Sequence, residues 1–287
     1  MKDLSHLRTG PGCSWFELAI GSAKKKNTAI LGFIKYAVRE RYEEFDGFIE
    51  NYQTAPRKSG ISLSGHVLID FYERPPAALK TLLEVRRHDH TLDECPYCGF
   101  PRAPETLDHF LPKESWPEYS IFSDNLVPQC RDCAPIKGVK YFCEHENQPF
   151  FLHPIYSPAL STLRFKIEVT VVKGKLVFSP AFSIPESITD ADEKRISFHL
   201  KNLHIKQRIV DYCDEQYRHW IRIAQSKPCD IKSIFESRLS ERECDPYPNN
   251  WATAFYQGVL KNQNAVRELQ RHVVSKPLRS NGAHRLI

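Results

Sequence analysis

The 287-residue chain has no apolar run long enough to cross a bilayer, and Met1 to Gly10 is polar where a secretory signal would be apolar. A helical membrane protein is therefore excluded, no membrane partner is expected, and the cytoplasm is the expected compartment. The chain has no Gly-rich phosphate loop of the Walker type and no Gly-x-Ser-x-Gly elbow, which removes the NTPase and esterase readings. Internal repeats and low-complexity tracts are also missing. Charge of one sign is in short supply: 40 basic residues against 35 acidic ones leave a net +5, which permits a polyanionic partner without requiring one. At 41% hydrophobic residues the chain has enough apolar surface to build one large or two modest domains.

Nine cysteines without an export signal point to metal ligands or buried thiols, because a reducing cytosol keeps thiols free. Cys95, Cys98, Cys130 and Cys133 form two Cys-x-x-Cys pairs, whereas Cys13, Cys143, Cys213, Cys229 and Cys244 stand singly and are expected to be small buried hydrophobes. Each pair sits on a tight turn that points two thiolates at one ion, so four sulfurs close a tetrahedral zinc shell. A closed shell has no position for substrate; its work is structural, and metal binding supplies folding free energy to the segment between the pairs.

Around that segment the pattern is helical. Leu31, Ile34, Val38, Tyr42, Phe45, Ile49 and Tyr52 recur on one face of a long helix, after a Lys24-Lys25-Lys26 run. Turn formers from Thr54 to Gly65 lead to a second helix, started by Pro75-Pro76 and ended by Arg86-Arg87-His88. Phe165–Val169 and Leu176–Phe178 alternate like two strands joined at Lys173-Gly174-Lys175, a β-hairpin. Ile196, Leu200, Leu203, Val210, Cys213, Tyr217 and Trp220 read as one helix face, with Asp190 and Glu193 as its capping box. A further helix from Asn250 turns Trp251, Phe255, Val259, Val266, Leu269 and Val273 inward, and Ser275 to Ile287 reads as a flexible basic tail. Three regions follow: helical 1–90, a metal-dependent module 91–150, and hairpin plus helices 151–287.

Within the module stand Asp108-His109, Asn125-Leu126-Val127-Pro128-Gln129-Cys130 and Cys133-Ala134-Pro135-Ile136-Lys137-Gly138. A carboxylate beside an imidazole at a strand end can hold a hard cation with the first while the second acts as a base. Cys95-x-x-Cys98, Asp108-His109, Asn125-Leu-x-Pro-x-Cys130-x-x-Cys133 and Lys137-Gly138 together resemble the zinc-containing HNH endonucleases of the ββα-metal superfamily. The resemblance covers residues 95–138 and implies a central zinc-stapled ββα module; with the helices and the β-hairpin read around it, the expected fold is α+β and mostly helical. It implies that His109 is the general base, Asp108 a ligand of a catalytic Mg²⁺ or Mn²⁺, and Asn125 the residue that holds the His loop. DNA is the expected substrate, with RNA as the alternative. Bacterial or phage-related roles follow, by analogy beside an ATPase partner of an antiphage system; the products would carry 5′-phosphate and 3′-hydroxyl ends.

Ala134 departs from the pattern. The resemblance places a His or Asn immediately after the second cysteine pair as the other protein ligand of the catalytic metal, and a methyl group coordinates nothing. Either the ligand has been lost naturally, or the residue was substituted to trap an inactive enzyme, or another side chain replaces it; the intact remainder of the motif favours a substitution. His145 and His153 are the nearest downstream histidines, with packing the simpler role for His153. Lys137, Arg86 and Arg87 are candidate phosphate contacts, set against a solvated lysine and a polar helix end. A zinc module that binds nucleic acid or protein without catalysis is the competing reading, and oligomeric state is not legible.

Overall fold

The structure, a computed structural model, describes residues 1–12, 15–61, 64–241 and 248–275. The chain divides into two compact units, Met1–Leu163 with Ile184–Ile205, and Arg164–Ser183 with Lys206–Ile287. This division differs from the three segments read from the sequence: 1–90 and 91–150 share the first unit, and 151–287 is split between both. No helix among the described residues is long and apolar enough to cross a membrane.

In the first unit, α1 (Trp15–Ile20) precedes α2 (Thr28–Glu50), whose buried stripe is Leu31, Val38, Tyr42, Phe45 and Ile49, as the periodicity predicts, whereas Ile34 is only half-buried and Tyr52 lies beyond the end of the helix. Next comes α3 (Gly65–Glu73), which the sequence reading leaves unassigned between the turn formers and Pro75: Val67, Leu68 and Phe71 are buried, but nine residues span too few turns to establish a helical period. Gly65 opens it because a Cβ there would come within 2.5 Å of the Pro117 ring. Helix α4 (Ala77–His88) starts after Pro76 and ends on Arg86-Arg87-His88, as expected.

Strand β1 (Thr106–His109) then pairs antiparallel with β2 (Leu126–Gln129), and α5 (Cys133–Lys137) follows. The pairs β3 (Phe142–Cys143) and β4 (Gln148–Pro149), then α6 (Ala159–Thr162), complete this stretch. An aromatic cluster of Tyr42, Phe45, Tyr119 and Phe122 packs α2 against the β1–β2 connection, and a buried ion pair from Arg41 Nε to Glu118 Oε1 at 2.8 Å fixes the same contact.

The hairpin of β5 (Arg164–Val172) and β6 (Lys175–Ser183) is as predicted but longer. Lys173 and Gly174 make its two-residue turn with φ of 50° and 74°, the left-handed pair that suits the twist of the strands. Phe165, Ile167 and Val169 alternate inward with Leu176, Phe178 and Pro180.

Two single-helix expectations are corrected. The stripe from Ile196 to Trp220 belongs to α7 (Asp190–Asn202) and α8 (Ile205–Ser226), broken where His204 takes φ 53°. Ile209 is buried where Val210 was expected, because the break shifts the helical phase of α8, and on α7 itself His199 is buried in place of Leu200, three residues after Ile196. The cap of α7 is Thr189, whose Oγ1 accepts from Asp192 N at 3.1 Å; Asp190 is already helical and cannot cap.

Likewise α10 (Trp251–Lys261) and α11 (Gln263–Gln270), which follow α9 (Ile231–Ser240), are separate helices. Asn262 restarts the chain by accepting from Asn264 N and Ala265 N. Ala265 and Leu269 are buried there, and Val266 and Val273 are only half-buried. Of the single cysteines, Cys213 is buried, but Cys143 and Cys229 are half-buried because they lie at a strand end and in a loop. Cys13, Cys244 and residues 276–287 of the basic tail lie outside the described residues.

Candidate metal centre

Two turns bring the four paired cysteines together. In the first, Gly99 N donates to Cys95 O at 2.8 Å and Phe100 N donates to Cys98 Sγ at 3.4 Å; in the second, Cys130 leaves the end of β2 and Cys133 opens α5. All four Sγ atoms are buried and lie within 4.8 Å of one another, and none is disulfide-bonded. Cys98 Sγ and Cys130 Sγ are 3.8 Å apart. A disulfide needs about 2 Å, whereas sulfurs about 2.3 Å from a central zinc lie about 3.8 Å apart on the edge of a tetrahedron. Hydrogen bonds from the Cys133, Cys95 and Cys98 thiols hold Cys130 well below the ordinary thiol range, while burial raises Cys98. A divalent cation at the centre of the four sulfurs lets all of them ionise. The cluster is thus suited to a metal ion such as zinc.

Asp108 and His109 end β1, and β2 lies antiparallel beside them, with Asp108 opposite Val127 and His109 opposite Leu126. Nε2 of His109 lies 3.0 Å from the Ser120 carbonyl oxygen, which only a protonated nitrogen can approach, so Nδ1 carries the lone pair of the neutral ring. Burial pushes this imidazole down to about 4, against the opposing pull of the Ser120 bond. Tyr72 of α3 meets the ring edge-on, centroids 4.3 Å apart.

Asn125 is fully buried and ties the long connection to itself. Its Oδ1 accepts from Leu111 N at 2.7 Å, and its Nδ2 donates to Leu111 O at 3.0 Å and Tyr119 O at 3.1 Å. The His109-Phe110-Leu111 turn and the Tyr119-Ser120 turn are thereby held in one frame.

Asp108 is 8% exposed and both its oxygens are engaged: Oδ1 with Lys137 Nζ at 3.0 Å, Oδ2 with the Tyr97 hydroxyl, which donates at 2.7 Å. Lys137, expected as a surface phosphate contact, is instead buried at 1% exposure, because it lies four residues after the buried Cys133 on the same face of α5. Arg86 is corrected for a similar reason: it is buried, donates to Leu7 O at 3.2 Å and lies over the Trp15 ring. Arg87 remains half-buried beside Glu84, and its charge acts on the Tyr72 phenol. Ala134 is the second residue of α5, one helical turn before Lys137. His145 is exposed against Glu146. His153 is packed on Phe110 with centroids 4.1 Å apart, and its Nδ1 accepts from Ile155 N.

The donor set does not suit a second, hard cation. Asp108 already holds an ammonium and a phenol, and position 134 offers a methyl group, where Mg²⁺ needs an octahedron of oxygens.

Comparison with known proteins adds a single thread. The chain is similar to protein ea31 of Escherichia phage lambda. The two are 26% identical over 194 residues, which cover 61% of this chain and 64% of that protein. The match thus spans just under two thirds of the phage protein, whose name assigns no activity. No protein-family model and no solved structure matches the chain.

Sequence reasoning missed Tyr97, Tyr72, Ser120 and Lys113. Tyr97 lies inside the first cysteine pair, where a polar aromatic between two metal ligands was a visible signal. Ser120 acts through its backbone carbonyl, and Tyr72 and Lys113 reach His109 only through folding, so no motif encodes them.

Proposed function

We propose that residues 95–138 are an HNH-type nuclease module, stapled by a structural zinc ion, that acts on nucleic-acid phosphodiester bonds with His109 as general base. In this chain cleavage is disabled at residue 134. The observation that carries the reading is the order β1, β2, α5 with Asp108-His109 at the end of β1. In that frame a carbonyl fixes one imidazole nitrogen and leaves the other as acceptor, while Asn125 braces the connection. A base so fixed can take a proton from an attacking water. Lys113 and Arg87, whose charges act on His109 and on its neighbour Tyr72, are the cations next to a bound phosphate backbone. DNA is the proposed substrate, in the cytoplasm, and a relative in phage lambda agrees with the phage-related setting that the resemblance implies.

The test is Ala134→His in zinc-loaded protein, assayed on supercoiled DNA with Mn²⁺ or Mg²⁺ raised to millimolar levels. Nicking that is absent in the parent and lost again on adding His109→Ala is the expected outcome; a general base contributes ~10²–10⁴-fold. A variant inert on both DNA and RNA, with and without an ATPase partner and nucleotide, overturns the nuclease reading. The second reading, a zinc module that binds nucleic acid without cutting it, is favoured by Ala134 together with the engaged Asp108. It would then be the one left, and it requires salt-dependent DNA binding that His109→Ala does not alter.

A further inference from the structure

The environment of Lys137 is that of a bound cation. Its Nζ lies 3.0 Å from Asp108 Oδ1, 3.1 Å from His109 O and 3.3 Å from Phe110 O, one acceptor for each of its three N–H groups. The rings of Phe110 and Phe151 stand 5.8 and 5.9 Å from it, within cation–π range. Lys137 is 1% exposed and Asp108 8%, so bulk water competes little for either charge. The remaining carboxylate oxygen is capped by Tyr97, itself fully buried.

We infer that the Lys137 ammonium is the permanent resident cation of this oxygen cage: it neutralises Asp108 from within, latches α5 to β1, and excludes a divalent ion from the site. An ammonium and a divalent cation cannot share one carboxylate at contact distance without strong repulsion in a buried setting. Driving the lysine out would strand it without three hydrogen bonds and one counter-charge. The cage is also too sparse for an incoming metal. It offers three oxygens spaced for N–H···O contacts, and a small divalent ion takes six at about 2.1 Å. The inference does not rest on the nuclease reading but narrows it: with Asp108 held by Lys137 and Tyr97, a divalent ion beside His109 would have to be held by the side chain at position 134 and by substrate phosphate oxygens, without Asp108.

Zinc-loaded full-length protein provides the test, with the free Mn²⁺ signal in electron paramagnetic resonance as probe. Wild type and Asp108→Asn are expected to bind Mn²⁺ alike, with affinities within about twofold, because no site depends on the carboxylate. A wild-type Mn²⁺ site that Asp108→Asn abolishes overturns the inference. In Lys137→Ala the cage is vacated. Its melting temperature is expected to fall, and to recover by several degrees on adding millimolar methylammonium, an addition that leaves wild type unmoved. A folded Lys137→Ala protein that does not respond to methylammonium shows that Lys137 only fills space, and overturns the latch. Should that variant fail to fold, Asp108→Asn/Lys137→Met removes both charges together. Recovery of folding in the double variant supports the pair as the latch, and failure with zinc still bound counts against it. Activity enters none of these readouts. Failure here leaves the nuclease proposal where it stood, and an inert Ala134→His leaves the latch standing.

Discussion

The hairpin of β1 and β2 has two strands of four residues joined by a connection from 110 to 125, whereas β5 and β6 have nine residues each and turn on Lys173 and Gly174 alone. The long hairpin specifies itself: alternation buries one face, and the turn chemistry sets the register. The short one cannot, since four-residue strands bury little and the entropy of a long loop opposes closure. It is held instead by four cysteines, by Asn125, by the Arg41–Glu118 pair and by the Lys137–Asp108 latch. The cysteine cluster, His109 and Asn125 all gather on the hairpin that needs outside help, because a connection as long as 110–125 cannot set its own register.

Metal removal is the largest way to sharpen that contrast. Structural zinc sites contribute ~10–16 kcal/mol of apparent binding free energy. Stripping the metal with a strong chelator, or Cys95→Ser, is therefore expected to unfold 95–138. Hydrogen exchange should show protection lost across β1, β2 and α5 while the β5–β6 amides stay protected. Equal loss in both hairpins would erase the distinction, and a metal-free, fully folded Cys95→Ser protein would remove the staple altogether.

The converse test falls on the second unit. Phe255 is fully buried and meets Phe178 at 5.7 Å, Phe235 at 6.0 Å and Tyr256 at 5.4 Å between centroids. Phe255→Ala leaves a cavity with no metal nearby to offset it, at an expected cost of ~3–5 kcal/mol. Denaturant melts followed by β5–β6 exchange should shift by that amount while zinc content is unchanged.

The same contrast governs what the sequence could disclose. Helix α2, the Pro76 start of α4 and the β5–β6 hairpin are legible because each is written in local period and turn chemistry. The cysteine cluster is legible because its spacing encodes a geometry. The breaks at His204 and Asn262 are not: one residue in each continuous apolar stripe changes backbone region, and periodicity averages over it. Lys137 was misjudged for a different reason. Sequence cannot tell a lysine that faces solvent from one that reaches inward, and its burial appears only once α5 is aimed by Cys133. Asp108 and His109 were singled out by motif, but their hydrogen-bond partners, Tyr97 and Ser120, are fixed by tertiary contact.

The smallest effect concerns acid, and it separates the first unit's polar bracing from its metal. His199 is fully buried; its Nε2 donates to Tyr97 O at 2.7 Å and its Nδ1 accepts from Leu152 N at 3.1 Å. That arrangement admits only the neutral ring, since a proton on Nδ1 would face the Leu152 N–H. Burial accordingly pushes the group down to about 4, while an unfolded histidine titrates near 6.5. The depressed folded value means the unfolded chain binds the proton more tightly. The stabilisation is full above about pH 6.5 and is lost as pH falls from there toward 4. Between about pH 7 and about pH 5 the loss from this one group is about 2 kcal/mol. Release of a bound zinc ion by thiolate protonation would also destabilise the first unit in acid, but it would be common to wild type and to His199→Gln, which has an amide in place of the titrating ring. Denaturant titrations at saturating zinc across that pH range should therefore show a shallower acid slope in His199→Gln. Parallel slopes would assign the acid sensitivity to the cysteines alone and leave the imidazole a packing role.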